Sequence, residues 1–217
     1  MIQRSTIPIS ESIGSVSAIE LVPKGCKALL ILAHGAGAGM EHSFMEQLAV
    51  ELSALGIATV RYNFPYMENG KRRPDVPAVA EKTVASVCEW VHNKFKKITL
   101  FVGGKSFGGR MSSQRMAKEC PEYIKGIVFY GFPLHGIGKE STDRADHLRK
   151  ISIPMLFLQG TKDKLAKQEL ITRVCKKLPT ATLVELEGAD HSFKVPKKQS
   201  PPNLPEITAQ WVLTKCL

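Results

Sequence analysis

Apolar residues recur along the chain in short continuous blocks separated by amphipathic stretches. Residues 28–33 (ALLILA), 57–62 (IATVRY), 98–103 (ITLFVG), 126–131 (GIVFYG), 154–159 (PMLFLQ) and 181–186 (ATLVEL) are blocks of strand length with few polar positions. A strand that is apolar on both faces is covered on both faces, as in a parallel sheet flanked by helices. Residues 16–22 (VSAIELV) alternate apolar and polar instead, and predict an edge strand. Between the blocks the period lengthens. Phe44, Leu48, Leu52 and Leu55 recur at helical spacing over 41–55, with Gly56 as a stop signal. Val84, Val87, Trp90 and Val91 mark one face of a helix over 78–95. Further helices are predicted over 106–119, near 164–178 and over 205–216. Residues 65–77, dense in Pro, Gly and charge, predict a loop. Strands alternating with helices over 217 residues imply one α/β domain, 1–217, with a mostly parallel central sheet and helices on both faces.

In such sheets the ligand crevice lies beyond the carboxyl ends of the strands. The residues at those ends carry the candidate chemistry. Gly104-Lys105-Ser106-Phe107-Gly108 fits G-x-S-x-G, a sharp strand-to-helix turn that lifts a serine above the sheet at a helix N-terminus. The competing reading of Ser106 is a helix N-cap after a Gly-rich loop. A phosphate-binding loop is a poor fit: its first glycine would fall on Thr99, and Leu100, Phe101 and Val102 read as strand.

A serine needs a base. His191 follows the last apolar block in Gly188-Ala189-Asp190-His191, and Asp163 follows the preceding one in Gly160-Thr161-Lys162-Asp163. The order Ser106, Asp163, His191 is the one used by serine hydrolases built on α/β sheets. Asp163 would hold the imidazole tautomer and stabilise the imidazolium. Asp190 is the rival acid, ranked lower because neighbours in a loop rarely face each other. Asp143 and Asp146 read as solvated or capping residues, His34 as a loop organiser, and His92 as mid-helical. The oxyanion donors are expected at the Phe107 and Ala36 backbone amides, with Gly37 as the alternative in the small-residue loop His34-Gly35-Ala36-Gly37-Ala38-Gly39. Lys105, Arg61, Arg110 and Gly37 are candidate substrate-binding residues, and the three cations would favour a negatively charged acyl group. The competing reading leaves Lys105 solvated and pairs Arg61 and Arg110 with acids such as Glu68 or Asp75.

Composition narrows the partners. The formal charge is +10, but the basic residues are dispersed and aromatics make up only 7%, so no stacking platform for nucleic acid is expected. No apolar run approaches the ~20 residues that cross a bilayer. The first ten residues lack the apolar core of a secretory signal. Five scattered cysteines without a C-x-x-C pair predict reduced thiols, no zinc site and a cytoplasmic location. No metal or cofactor is expected, the partner is a small-molecule acyl substrate, and oligomeric state is left open.

Together these segments, with Arg61-Tyr62-Asn63-Phe64-Pro65-Tyr66, Arg73-Pro74-Asp75 and the extended elbow through Gly109-Arg110, resemble the α/β-hydrolase superfamily over the full length. More narrowly they are similar to a dienelactone-hydrolase-like branch. The resemblance implies a serine hydrolase fold without a large cap and fixes no substrate; the candidate residues point to hydrolysis of a small carboxylic ester, a lactone or a similar acyl bond. The roughly twenty residues between 131 and 154, where lids are often inserted, are too few for a separate domain. Acyl transfer or peptide cleavage would use the same three residues. Chromatin-associated members of the branch imply an alternative, a catalytically weak or inactive interaction module.

Overall fold

The computed structural model describes residues 2–216. Eight strands form one sheet in the order β1-β2-β4-β3-β5-β6-β7-β8. They are β1 (Ile2–Ser10), β2 (Gly14–Leu21), β3 (Ala28–Ala33), β4 (Ile57–Tyr62), β5 (Thr99–Lys105), β6 (Ile124–Tyr130), β7 (Met155–Gly160) and β8 (Ala181–Leu186). The strands from β4 to β8 pair in parallel, and β1 and β2 pair antiparallel at one end. Every residue of β3, β4 and β7 is buried, as their composition requires.

The period-two alternation within each strand sends side chains to two cores. Leu29, Ile31 and Ala33 of β3 join a core covered by α3 (Pro77–Lys94), α4 (Phe107–Lys118) and α5 (Gln168–Lys176). Ala28, Leu30 and Leu32 join the opposite core, under α1 (Ser43–Ala54) and α6 (Leu204–Thr214). The expected layering, with helices on both faces and no large cap, is what the chain adopts.

Two local expectations need correction. The alternating segment at 16–22 is the second strand, not the edge. The edge is β1, whose Ile7 and Ile9 are buried while Thr6 and Pro8 between and beside them face outward or partly so. Residues 65–77 are not wholly loop, because Pro65 opens a one-turn helix, α2 (Pro65–Glu68). A 3-10 helix, Asp143–Lys150, occupies the stretch where a lid would be inserted, and buries Ala145 and Leu148.

Candidate active site

The elbow is built by backbone crowding. Ser106 sits between β5 and α4 at φ 50° and ψ −112°, a left-handed value that costs a non-glycine residue about 1–3 kcal/mol. Its amide donates to the Tyr130 carbonyl at 3.1 Å, which pins the turn to β6. The flanking glycines are there for space. A Cβ on Gly104 would lie 2.3 Å from the Ala33 carbonyl oxygen, and one on Gly108 would lie 2.5 Å from the His34 carbonyl oxygen. Gly103 is as tight, with the Val128 carbonyl oxygen 2.0 Å from the same imagined atom. No side chain fits at these positions unless the sheet moves.

The loops bring the three expected side chains into series. Ser106 Oγ lies 2.8 Å from His191 Nε2, and His191 Nδ1 lies 2.7 Å from Asp163 Oδ2. With Nδ1–H donating to the carboxylate, Nε2 is left to accept the serine proton. Asp163 is buried, and its other partners fix it: the Leu165 amide donates to Oδ1 at 2.7 Å and Gln159 Nε2 donates to Oδ2 at 2.6 Å. Asp190 has a different task. Its Oδ1 accepts the Ser192 and Lys194 amides at 2.8 and 3.0 Å, which closes the turn that carries His191. A hydroxyl, an imidazole and a buried carboxylate in this order can pass one proton from oxygen to nitrogen while the carboxylate steadies the charge left on the ring.

Ser106, His191, Lys105 and Ala36 line an open cleft of about 760 Å3, together with Gly35, Ala38, His42, Phe44, Gln47, Leu165 and Lys194. The amides of Phe107 and Ala36 take part in no turn or loop hydrogen bond to the backbone. The Phe107 side chain is buried edge-on against Phe64, 5.2 Å between ring centroids. Gly37, at φ 74°, turns the loop, and its amide faces the Tyr66 hydroxyl.

The loop is braced from beneath. His34 is fully buried, its Nε2 accepts the Phe64 amide at 3.0 Å, and its Nδ1 therefore carries the proton given to the Gly35 carbonyl at 2.8 Å. Burial pulls the His34 pKa down to about 4, so the ring is neutral at physiological pH. Tyr66 Oη also donates to the Gly35 carbonyl, at 3.3 Å. Asn63 Oδ1 accepts the Met40 amide at 2.9 Å, at the far end of the loop.

The two arginines do not reach the cleft. Arg61 is buried, with Nη1 donating to the Met40 carbonyl at 2.9 Å, so it supports the loop from the sheet side. Arg110 turns away on α4 toward Arg144. Burial and that neighbouring charge lower its pKa, and its Nε has no hydrogen-bond partner. Neither pairs with Glu68 or Asp75. Glu68 accepts from Ser17 and Asn63, and Asp75 accepts the Tyr66 amide. Lys105 is not simply solvated, since its Nζ donates to the His191 carbonyl.

Gln159 and Tyr66 are site residues that the sequence reading missed. Gln159 had a signal: it is the one polar residue in the block PMLFLQ, and a lone polar group in a buried strand needs partners. Tyr66 had only its place in the segment Arg61–Tyr66 that carries the family resemblance, and no role could be read there because the stretch was expected to be loop.

Residues 26–212 match the family model described as alpha/beta hydrolase domain. Among solved structures, an alpha-beta serine hydrolase homologue from Coxiella burnetii is similar at 20% identity over 98% of this chain and 96% of that one, with a TM-score of 0.74. Dienelactone hydrolase from Anabaena variabilis is similar at 18% identity over 99% and 95%, with a TM-score of 0.72. XC6422 from Xanthomonas campestris, described as an a/b serine hydrolase without lid, is similar at 19% identity over 99% and 93%, also with a TM-score of 0.72. With a family model matched across most of its length and the fold shared throughout, this chain belongs to the alpha/beta hydrolase domain family.

Proposed function

We propose that the protein is a serine hydrolase that cleaves a small carboxylic ester through an acyl-enzyme. The reading rests on one observation, the 2.8 Å contact between Ser106 Oγ and His191 Nε2. In the first half-reaction Ser106 Oγ attacks the ester carbonyl and its proton passes to His191 Nε2. The carbonyl π pair moves to oxygen, giving an oxyanion that the Phe107 and Ala36 amides receive. The oxyanion collapses, the C–O bond to the alcohol breaks, and His191 returns its proton to the departing oxygen. In the second half-reaction water repeats the attack on the acyl-serine and releases the acid. Asp163 holds the ring tautomer throughout and stays ionised. The absence of a long insertion over the cleft favours short acyl chains and an exposed leaving group.

A negatively charged acyl or alcohol group is favoured by one further observation: Lys194 lines the cleft, and no carboxylate residue is among its lining side chains. Five unbridged cysteines support a cytoplasmic setting. A fluorophosphonate probe tests the nucleophile. Covalent labelling of the wild type and none of Ser106→Ala is the expected result. An unlabelled wild type favours the interaction-module reading instead. Nitrophenyl esters of rising chain length, with and without a terminal carboxylate, then rank substrates, and product analysis with added alcohols or amines separates hydrolysis from acyl transfer.

A further inference from the structure

We infer that Lys105 is a positioning residue, whose ammonium ties the loop carrying His191 to the strand end carrying Ser106. The inference rests on the serine-hydrolase reading for its kinetic consequences and on geometry alone for its structural ones. Lys105 is the last residue of β5 and the immediate neighbour of Ser106. A bond from its side chain to the His191 carbonyl therefore couples nucleophile and base through one side chain, whereas the covalent path between them runs through 85 residues and the strands β6, β7 and β8.

The surroundings are arranged for that bond. The Lys105 ammonium lies 4.6 Å from the ring centroid of Phe193 and 5.9 Å from that of Phe44, and these two rings stack on each other at 5.8 Å. Phe193 adopts φ 62°, a second left-handed non-glycine residue, two positions after His191. The cation thus grips both the carbonyl and the aromatic end of one turn, and the attraction of a cation for a ring face adds to the hydrogen bond. Gly131 leaves the passage open. A Cβ there would lie 3.0 Å from Lys105 Nζ and 3.4 Å from the His191 ring.

The charges point the same way. Asp163, after β7, and Asp190, after β8, both favour the ammonium, but burial outweighs them and brings the Lys105 pKa down to about 8. Asp163 is held by His191, Gln159 and Leu165, and Asp190 by the Ser192 and Lys194 amides, so neither forms an ion pair with Lys105. A half-buried cation without a direct counter-ion carries a desolvation cost, which a methionine of similar length would avoid. Its retention next to reacting groups is the pattern expected of a functional lysine. As pH rises through about 8 the ammonium becomes an amine. The hydrogen bond persists, while the attraction to both carboxylates and both rings is lost.

The test compares wild type, Lys105→Met and Lys105→Arg on a neutral nitrophenyl acetate and on a carboxylate-bearing ester, from pH 6 to 10, with amide hydrogen exchange over residues 189–195. Lys105→Met is expected to lower kcat about 10–100-fold on both esters with KM little changed, the loss that a misplaced base gives. It is also expected to speed exchange in the turn. Lys105→Arg recovers part of kcat and removes the decline in kcat that the wild type shows above pH 8. Unchanged exchange in Lys105→Met overturns the inference whether or not the protein hydrolyses esters. A rise in KM confined to the carboxylate-bearing ester overturns it in favour of substrate contact. A wild type that no fluorophosphonate labels defeats the hydrolase reading alone, and the exchange result still decides the tether.

Discussion

Gln159 offers the sharpest test of how the acid is held. It stands at the end of β7, 2% exposed, with Oε1 accepting the Phe132 amide at 2.9 Å and Nε2 donating to Asp163 Oδ2 at 2.6 Å. Gln159→Leu keeps the volume and removes both bonds. It strands a backbone N–H and withdraws a donor from a buried carboxylate. The bond to the carboxylate is worth about 1.5–3 kcal/mol and the neutral one about 1 kcal/mol. The greater apolarity of leucine returns about 1 kcal/mol. The expected loss is therefore about 1.5–3 kcal/mol, or about 3–12 °C in Tm for a chain of this size. Asp163 keeps the Leu165 amide and His191, so kcat on a small neutral ester should fall about tenfold rather than vanish. Gln159→Glu should be worse than leucine, because it sets a second carboxylate against Asp163. Thermal and urea unfolding at pH 7 with steady-state kinetics on the same preparations read both effects. A Gln159→Leu protein within about 0.5 kcal/mol of wild type and with unaltered kcat would refute the reasoning.

Other outcomes follow from the crowded elbow and the buried histidine. Gly108→Ala drives a methyl against two backbone oxygens, at 2.5 and 2.6 Å, and should cost about 3 kcal/mol or more, read by unfolding. Gly136→Ala, which meets nothing within 4 Å and has no left-handed φ, is the control and should stay within about 0.5 kcal/mol of wild type. His34 is neutral in the fold, with a pKa near 4 against 6.5 when free, so the unfolded chain takes up its proton first as pH falls. Its contribution is intact above pH 6.5 and is lost between there and pH 4, up to about 3 kcal/mol. Unfolding curves of His34→Gln should lack that part of the acid slope, and an identical slope would show that His34 does not titrate as described.

The parallel part of the sheet was legible because each central strand is buried on both faces and so is written as an unbroken apolar run. The three side chains at 106, 163 and 191 were legible for a related reason. Ser106 and Asp163 follow closely on such runs, His191 comes after the partly exposed outer strand β8, and chain order sorts the three. β1 was not legible as a strand, since its inward residues Ile7 and Ile9 are separated by a proline and preceded by polar residues, so the apolar signal is short. The support beneath the site was hidden by sequence distance: His34 meets Phe64, and Tyr66 meets Gly35, only after two strands pair. Arg61 and Lys105 both sit at strand carboxyl ends, yet one runs beneath the loop to Met40 and the other opens to the cleft. Side-chain direction alternates along a strand, so proximity to a strand end does not by itself place a charge at the ligand.

The close backbone approaches at Gly103, Gly104, Gly108 and Gly109 divide the molecule for anyone who would redesign it. Randomised libraries aimed at these four glycines should yield chiefly insoluble chains, since a side chain added at any of them meets main-chain oxygen. Libraries aimed at the exposed Gln47 and Lys194 touch only the rim and leave the sheet undisturbed. Selectivity can therefore drift by exchange of rim residues while the turn beneath them stays fixed.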